Sequence, residues 1–142
     1  MLFRSGLPTA FKEMFWSNSR GGTVRGLHLQ RPPHAGAKLV WCTAGEAFDV
    51  LVDLRRGSPR FGRWESLRLS ASKGNALLVP AGVAHGFQAL GAGATLCYLS
   101  TAEHAPSCDT GVRWDSAGIP WPEPVRAVSK RDRGLVPMAD YR

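Results

Sequence analysis

Residues 74–90 read GNALLVPAGVAHGFQAL. Two β-rich runs, Asn75 to Val79 and Gly86 to Leu90, flank Pro80-Ala81-Gly82. Proline presets a turn dihedral and glycine accepts a positive φ, so the chain reverses there. The same grammar repeats outward. Thr23 to Gln30 alternates, Lys38 to Thr43 is β-rich, and Trp64 to Ser70 alternates through Leu67 and Leu69. From Ala47 to Leu54, Phe48, Val50, Val52 and Leu54 face one way while Asp49 and Asp53 face the other. Thr95 to Leu99 is a further short strand. Turns are expected at Ala44-Gly45, Arg56-Gly57-Ser58-Pro59, Ser72-Lys73-Gly74 and Gly91-Ala92-Gly93. Short strands at this spacing predict an all-β sandwich or barrel. No stretch sustains helical periodicity. The proline- and tryptophan-rich last third predicts an irregular C-terminal tail wrapped on the barrel.

At 142 residues, positions 1–142 are expected to form one domain. Apolar residues at 44% and charged residues at 20% exclude a disordered or fibrous chain. The apolar runs are too short to span a membrane. Met1 to Phe15 carries Arg4, Lys12 and Glu13 without an apolar core, which argues against a signal peptide. Cys42, Cys97 and Cys108 are odd in number and widely spaced, so they read as reduced thiols of a cytoplasmic protein. The net charge of +7 comes mainly from scattered arginines. Nucleic-acid binders usually gather such charge on one stripe. Scattered guanidinium groups suit a small anionic ligand, because they grip phosphate bidentately. No nucleic-acid or membrane partner is expected.

The four histidines are His28, His34, His85 and His104. His28 and Gln30 stand two apart in a strand and share a face. This layout resembles the cupin superfamily. Gly22 precedes His28 at the spacing of the first cupin motif, with Gln30 in place of its second histidine. Gly74, Pro80, Gly82 and His85 match the second motif in full. No acid occurs between Gln30 and Glu46. Two imidazoles are too few ligands for an ordinary divalent site, so no metal is expected. A metal-dependent cupin enzyme is the weakest of the readings.

A closer resemblance is carried by Arg25-Gly26-Leu27-His28-x-Gln30, then Lys38-Leu39-Val40. It continues through Gly45-Glu46-x-Phe48-Asp49-Val50-x-Val52-Asp53-Leu54-Arg55-Arg56-Gly57-Ser58-Pro59-x-Phe61-Gly62-x-Trp64. Leu69-Ser70, Pro80-x-Gly82-x-Ala84-His85-Gly86-Phe87, Trp114, Trp121-Pro122 and Val128-Ser129-x-x-Asp132 complete it. Over roughly residues 11 to 137 the chain resembles the dTDP-4-dehydrorhamnose 3,5-epimerase family. The resemblance implies a cupin-type β jelly roll, a homodimer, and no cofactor. It implies epimerisation of a nucleoside-diphosphate 4-keto-6-deoxysugar at C3, C5 or both, by proton abstraction alpha to the C4 ketone.

It also assigns roles. His28 falls on the catalytic base, Asp132 on the acid that orients it, and Lys38 on the lysine beside the C4 oxygen. Arg25 and His85 fall on diphosphate contacts, and Gln30 joins them as a substrate-binding residue. His104 stands where this reading places the family's acid, a tyrosine before Ala-Pro, whereas Tyr98 aligns with a structural tyrosine. Glu13 and Phe15 replace a glutamine and an asparagine, which points to a different sugar or nucleotide. Met1 to Ala10 carries no counterpart of an Arg-Gly-x-Phe segment. His34 reads as a loop residue. A nucleotide-sugar-binding cupin with altered catalysis is the alternative.

Overall fold

A computed structural model describes Pro8 and residues 10–142. The expectation for Met1 to Ala10 therefore falls almost wholly outside the described residues. Strands dominate up to Ser100, as the alternation requires, and residues 101–142 are mostly irregular, as expected of the tail. β1 is Glu13–Arg20, β2 Thr23–Gln30, β3 Lys38–Asp53, β4 Trp64–Ser70, β5 Ala76–Val79, β6 Val83–Ser100, β7 Asp109–Gly111 and β8 Ala127–Val128. A four-residue helix α1, Lys130–Arg133, follows β8.

Two expected turns are bends inside long strands. Lys38 to Thr43 and Ala47 to Leu54 belong mostly to one strand, β3, whose register shifts between Cys42 and Ala47. Gly86 to Leu90 and Thr95 to Leu99 likewise join in β6, across Gly91-Ala92-Gly93. The bends lie against each other, Gly45 pairing with Ala94. Gly45 has φ +72°, and a Cβ there would come within 2.0 Å of the Gly93 carbonyl oxygen. Glycine lets both strands turn a corner without breaking the ladder.

The corner divides the sheet into two faces of a barrel. The first half of β3 pairs with β5 and the second half of β6, which also carries β1. The second half of β3 pairs with β4 and the first half of β6, which continues to β2, β7 and β8. Between them lie Val40, Leu69, Phe87, Leu96 and Tyr98, all buried. A second cluster joins Leu27, Val50, Val52 and Leu54 to Val112 and Ile119 of the C-terminal segment. The alternation in β3 is therefore real, but both of its faces are packed. Asp49 points into the interior and is fully buried. β1 was not legible in EMFWSNSR, whose outward face is as apolar as its inward one: Met14 and Trp16 are 60% and 71% exposed.

Candidate functional site

β2 and β6 deliver the site. His28 and His85 are cross-strand neighbours, just past an irregularity in the pairing of the two strands. Gly26 shapes that irregularity, with φ +121°; a Cβ there would meet Gly86 Cα at 2.6 Å and the His85 carbonyl oxygen at 2.8 Å. Two glycine backbones touch here, and the two histidines are set side by side.

Each histidine faces its own carboxylate. His28 Nε2 lies 2.6 Å from Asp132 Oδ1. Asp132 is 2% exposed and also accepts the Gly26 N–H at 3.1 Å. Its backbone N–H donates to the Ser129 hydroxyl, which caps α1. Burial works against ionisation of Asp132. His28, the Gly26 N–H and Arg131 outweigh it and hold the carboxyl below its usual range. His85 Nε2 lies 2.9 Å from both oxygens of Asp49. Burial pushes the Asp49 carboxyl up, against the pull of His85.

A cavity of about 200 Å³ opens in front of His28. Glu13, Phe15, His28, Gln30, Lys38 and His104 all line it, so six of the nine expected site residues converge. Asp132 stands behind His28, outside the lining. His85 lines an adjoining pocket shared with His28, Gln30 and Lys38. Arg25 is the exception: its guanidinium donates to Ser19 Oγ at 2.8 Å and lines a separate groove with Arg20 and Arg126. The register shift between Arg25 and His28 keeps both on the face that carries Phe87 and His85, and Arg25 stands further along it, close enough to act on the Tyr98 hydroxyl.

Burial pulls Lys38 below the usual lysine range; Asp109 opposes this, Arg131 adds to it, and Glu13 opposes it. Asp109 and Arg131 also line the cavity and pair at 2.5 Å. The sequence carries no signal for Asp109 or Arg131, each outside the matched residues, and it places Asp49 inside a matched motif without a role. Tyr98 lies deeper. Its ring stacks on Phe15 at 4.6 Å and meets His85 edge-on at 6.0 Å. Its hydroxyl is 3.3 Å from Ser17 Oγ, and burial raises it above the usual phenol range.

The arrangement is a histidine paired with a buried carboxylate and a nearby ammonium at a small cavity, with a buried phenol stacked on the lining residue Phe15. The profile of the dTDP-4-dehydrorhamnose 3,5-epimerase family matches residues 2–140. The chain belongs to that family. A dTDP-4-dehydrorhamnose 3,5-epimerase of Sinorhizobium fredii is 51% identical over 114 residues, covering 78% of this chain. The chain spans only 58% of that relative's length. The crystal structure of the Bacillus anthracis epimerase, with TDP and PPi bound, superposes with a TM-score of 0.89 at 38% identity. It covers 93% of this chain, which covers 77% of it. A double mutant of ChmJ, a 3'-monoepimerase from Streptomyces bikiniensis in complex with dTDP, superposes with a TM-score of 0.83 at 34% identity. It covers 89% of this chain, which covers 65% of it. The fold is thus the cupin jelly roll that the motifs implied.

Proposed function

We propose that the chain epimerises a dTDP-linked 4-keto-6-deoxysugar, inverting a carbon next to the C4 ketone. The observation that carries this is the His28–Asp132 pair at the cavity wall, with Lys38 lining the same space. Asp132 accepts the Nε2–H of His28, which leaves the Nδ1 lone pair as the base. The C–H proton passes to Nδ1, and Asp132 stabilises the imidazolium that forms. The electron pair moves onto the C4 oxygen, where the Lys38 ammonium stabilises the enolate. A proton returned to the opposite face of the carbon completes the inversion, and exchange with water resets the donors.

The acid in this scheme is Tyr98, which departs from the expectation that His104 takes that role and Tyr98 a structural one. Its raised pKa keeps the phenol protonated, and it lies against His85, the neighbour of His28. The histidine and tyrosine replaced in the ChmJ double mutant have the same sequence separation as His28 and Tyr98. A second reading gives the role to His104, because its side chain lines the cavity itself. His85, in the adjoining pocket, and Arg25, in its separate groove, remain the candidate diphosphate contacts. Glu13 and Phe15 would face the sugar or nucleotide. The exposed Met14 and Trp16 on β1 support a homodimer, since large apolar patches usually mark contacts. Three free cysteines support a reducing, cytoplasmic setting.

Proton NMR in deuterated buffer with dTDP-4-keto-6-deoxyglucose tests the reading. Deuterium entering C3, or C3 and C5, is expected, and its absence in His28→Ala. Exchange in that variant at the wild-type rate would refute the base. Tyr98→Phe should retain first-proton exchange yet lose product inversion, whereas His104→Ala should do so only if His104 is the acid.

A further inference from the structure

Gln30 falls among the expected substrate contacts, yet its amide is already engaged. One N–H donates to the His34 carbonyl at 2.9 Å and the other to the Glu103 carbonyl at 3.0 Å. Its Oε1 accepts the Ala105 N–H at 2.7 Å. A primary amide has two donors and one oxygen, so little capacity is left for a ligand. From the other side of the cavity, Glu13 Oε1 accepts the His104 N–H at 2.9 Å.

Three consecutive residues of the loop after β6 are thus held by side chains from β1 and β2. The middle one is His104, exposed and on the cavity wall. A loop without secondary structure of its own has a large conformational freedom to lose. Here the loss is met during folding, by bonds to the two strands that also carry Phe15 and His28. Gln30 additionally holds the 31–37 loop through His34, so both loops at the cavity mouth share one anchor.

We propose that Gln30 and Glu13 are positioning residues, which set His104 against the bound nucleotide sugar at the cavity mouth. This rests on the epimerase reading above and names how that site is organised. Glu13 stands where relatives of the resemblance carry a glutamine, and its carboxylate serves the clamp as acceptor while facing Lys38. A displacement of about 1 Å at such a site costs on the order of 10²-fold in rate.

A double-mutant cycle decides it. Gln30→Met, His104→Ala and their combination are compared for deuterium exchange into dTDP-4-keto-6-deoxyglucose and for TDP affinity by calorimetry. Thermal melting runs alongside. Gln30→Met should lower kcat/KM by roughly 10- to 100-fold. In the His104→Ala background the same change should have almost no further effect, because a positioning residue has nothing left to position. Glu13→Ala should show the same dependence, and it carries the test if Gln30→Met does not fold. Losses that multiply in the double variant would overturn the proposal, since they would mean that Gln30 touches substrate or supports the fold alone. A wild type that binds TDP but exchanges no deuterium would instead bring down the epimerase reading, leaving the TDP-affinity cycle to judge the clamp by the same criterion. A wild type that does neither would overturn both.

Discussion

Asp132→Asn removes one charge and almost no volume. The pair it breaks is short, 2.6 Å from Nε2 to Oδ1, and Asp132 is 2% exposed while the His28 side chain is 23% exposed. Two unit charges at that distance attract by about 6 kcal/mol at an effective dielectric near 20. Part of this is screened at the open side of His28, and the asparagine oxygen retains part through its dipole. A net loss of about 3–5 kcal/mol in the stability of the imidazolium is left, which is roughly 10²–10⁴-fold in rate. An asparagine can also donate to Nε2 and trap the wrong tautomer, which acts in the same direction. The assay is deuterium exchange into the keto-sugar, with TDP affinity measured beside it. Exchange should fall by that factor while TDP binding holds. A variant that exchanges within about threefold of wild type would refute the reasoning, because the factor rests on the charge at 2.6 Å. The pH dependence of stability adds a second check. Asp132 titrates below its unfolded value, so its contribution is complete above about pH 4 and fades as pH falls through the lower folded pKa. The stability gap between wild type and Asp132→Asn should close in acid. A gap that widens below pH 4 would show that the carboxylate is not held in its charged form.

Lys38→Met should cost on the order of 10²–10³-fold in kcat with a smaller change in KM, as for other groups that stabilise developing charge. Because the ammonium is the working form and its pKa is depressed, activity should decline on the alkaline side; Arg131→Gln, which removes a depressing charge and frees Asp109, should move that decline to higher pH. A limb unmoved or moved down would count against Lys38 as the titrating group. Gly26→Ala should destabilise the fold by about 3 kcal/mol or more, through a strained φ and a 2.6 Å collision with Gly86; a melting temperature within a degree of wild type would contradict the packing. Asp49→Leu should cost about 2–4 kcal/mol in chemical denaturation, since it leaves the buried His85 without its partner, and a neutral result would mean that the pair adds nothing.

How far the sequence was legible follows from the range of each interaction. β2 and β4 match their runs end to end, because alternation and turn residues are local signals. The two bends read as turns in the sequence, because a glycine in a corner and a glycine in a reversal look alike until the partner strand is known. β1 was unreadable for a different reason: both of its faces carry aromatic residues, one set packed on Tyr98 and the other exposed. His28 and Lys38 were found through motifs around them. Asp132 lies 104 residues from its partner, and no periodicity could have joined them; the resemblance did. Arg25 shows that a motif fixes a residue's type while the fold decides which pocket it lines. Asp109 and Arg131 have no motif around them, Asp49 has one that assigns it no partner, and only the fold brings the three to the site.

The carboxylate that orients His28 comes from α1, a helix of four residues. A segment so short does not hold its shape alone. It is kept in place by the Ser129 cap, by Arg133 on the Val128 carbonyl, by Arg131 on Asp109, and by Asp132 itself. The barrel beneath is tied by the long ladders of β3 and β6. Local opening follows the weaker attachment. On warming, the chemistry would therefore fail before the sheet does: the strap lifts, His28 loses its orientation, and an intact barrel stands idle until cooling lets the strap settle back.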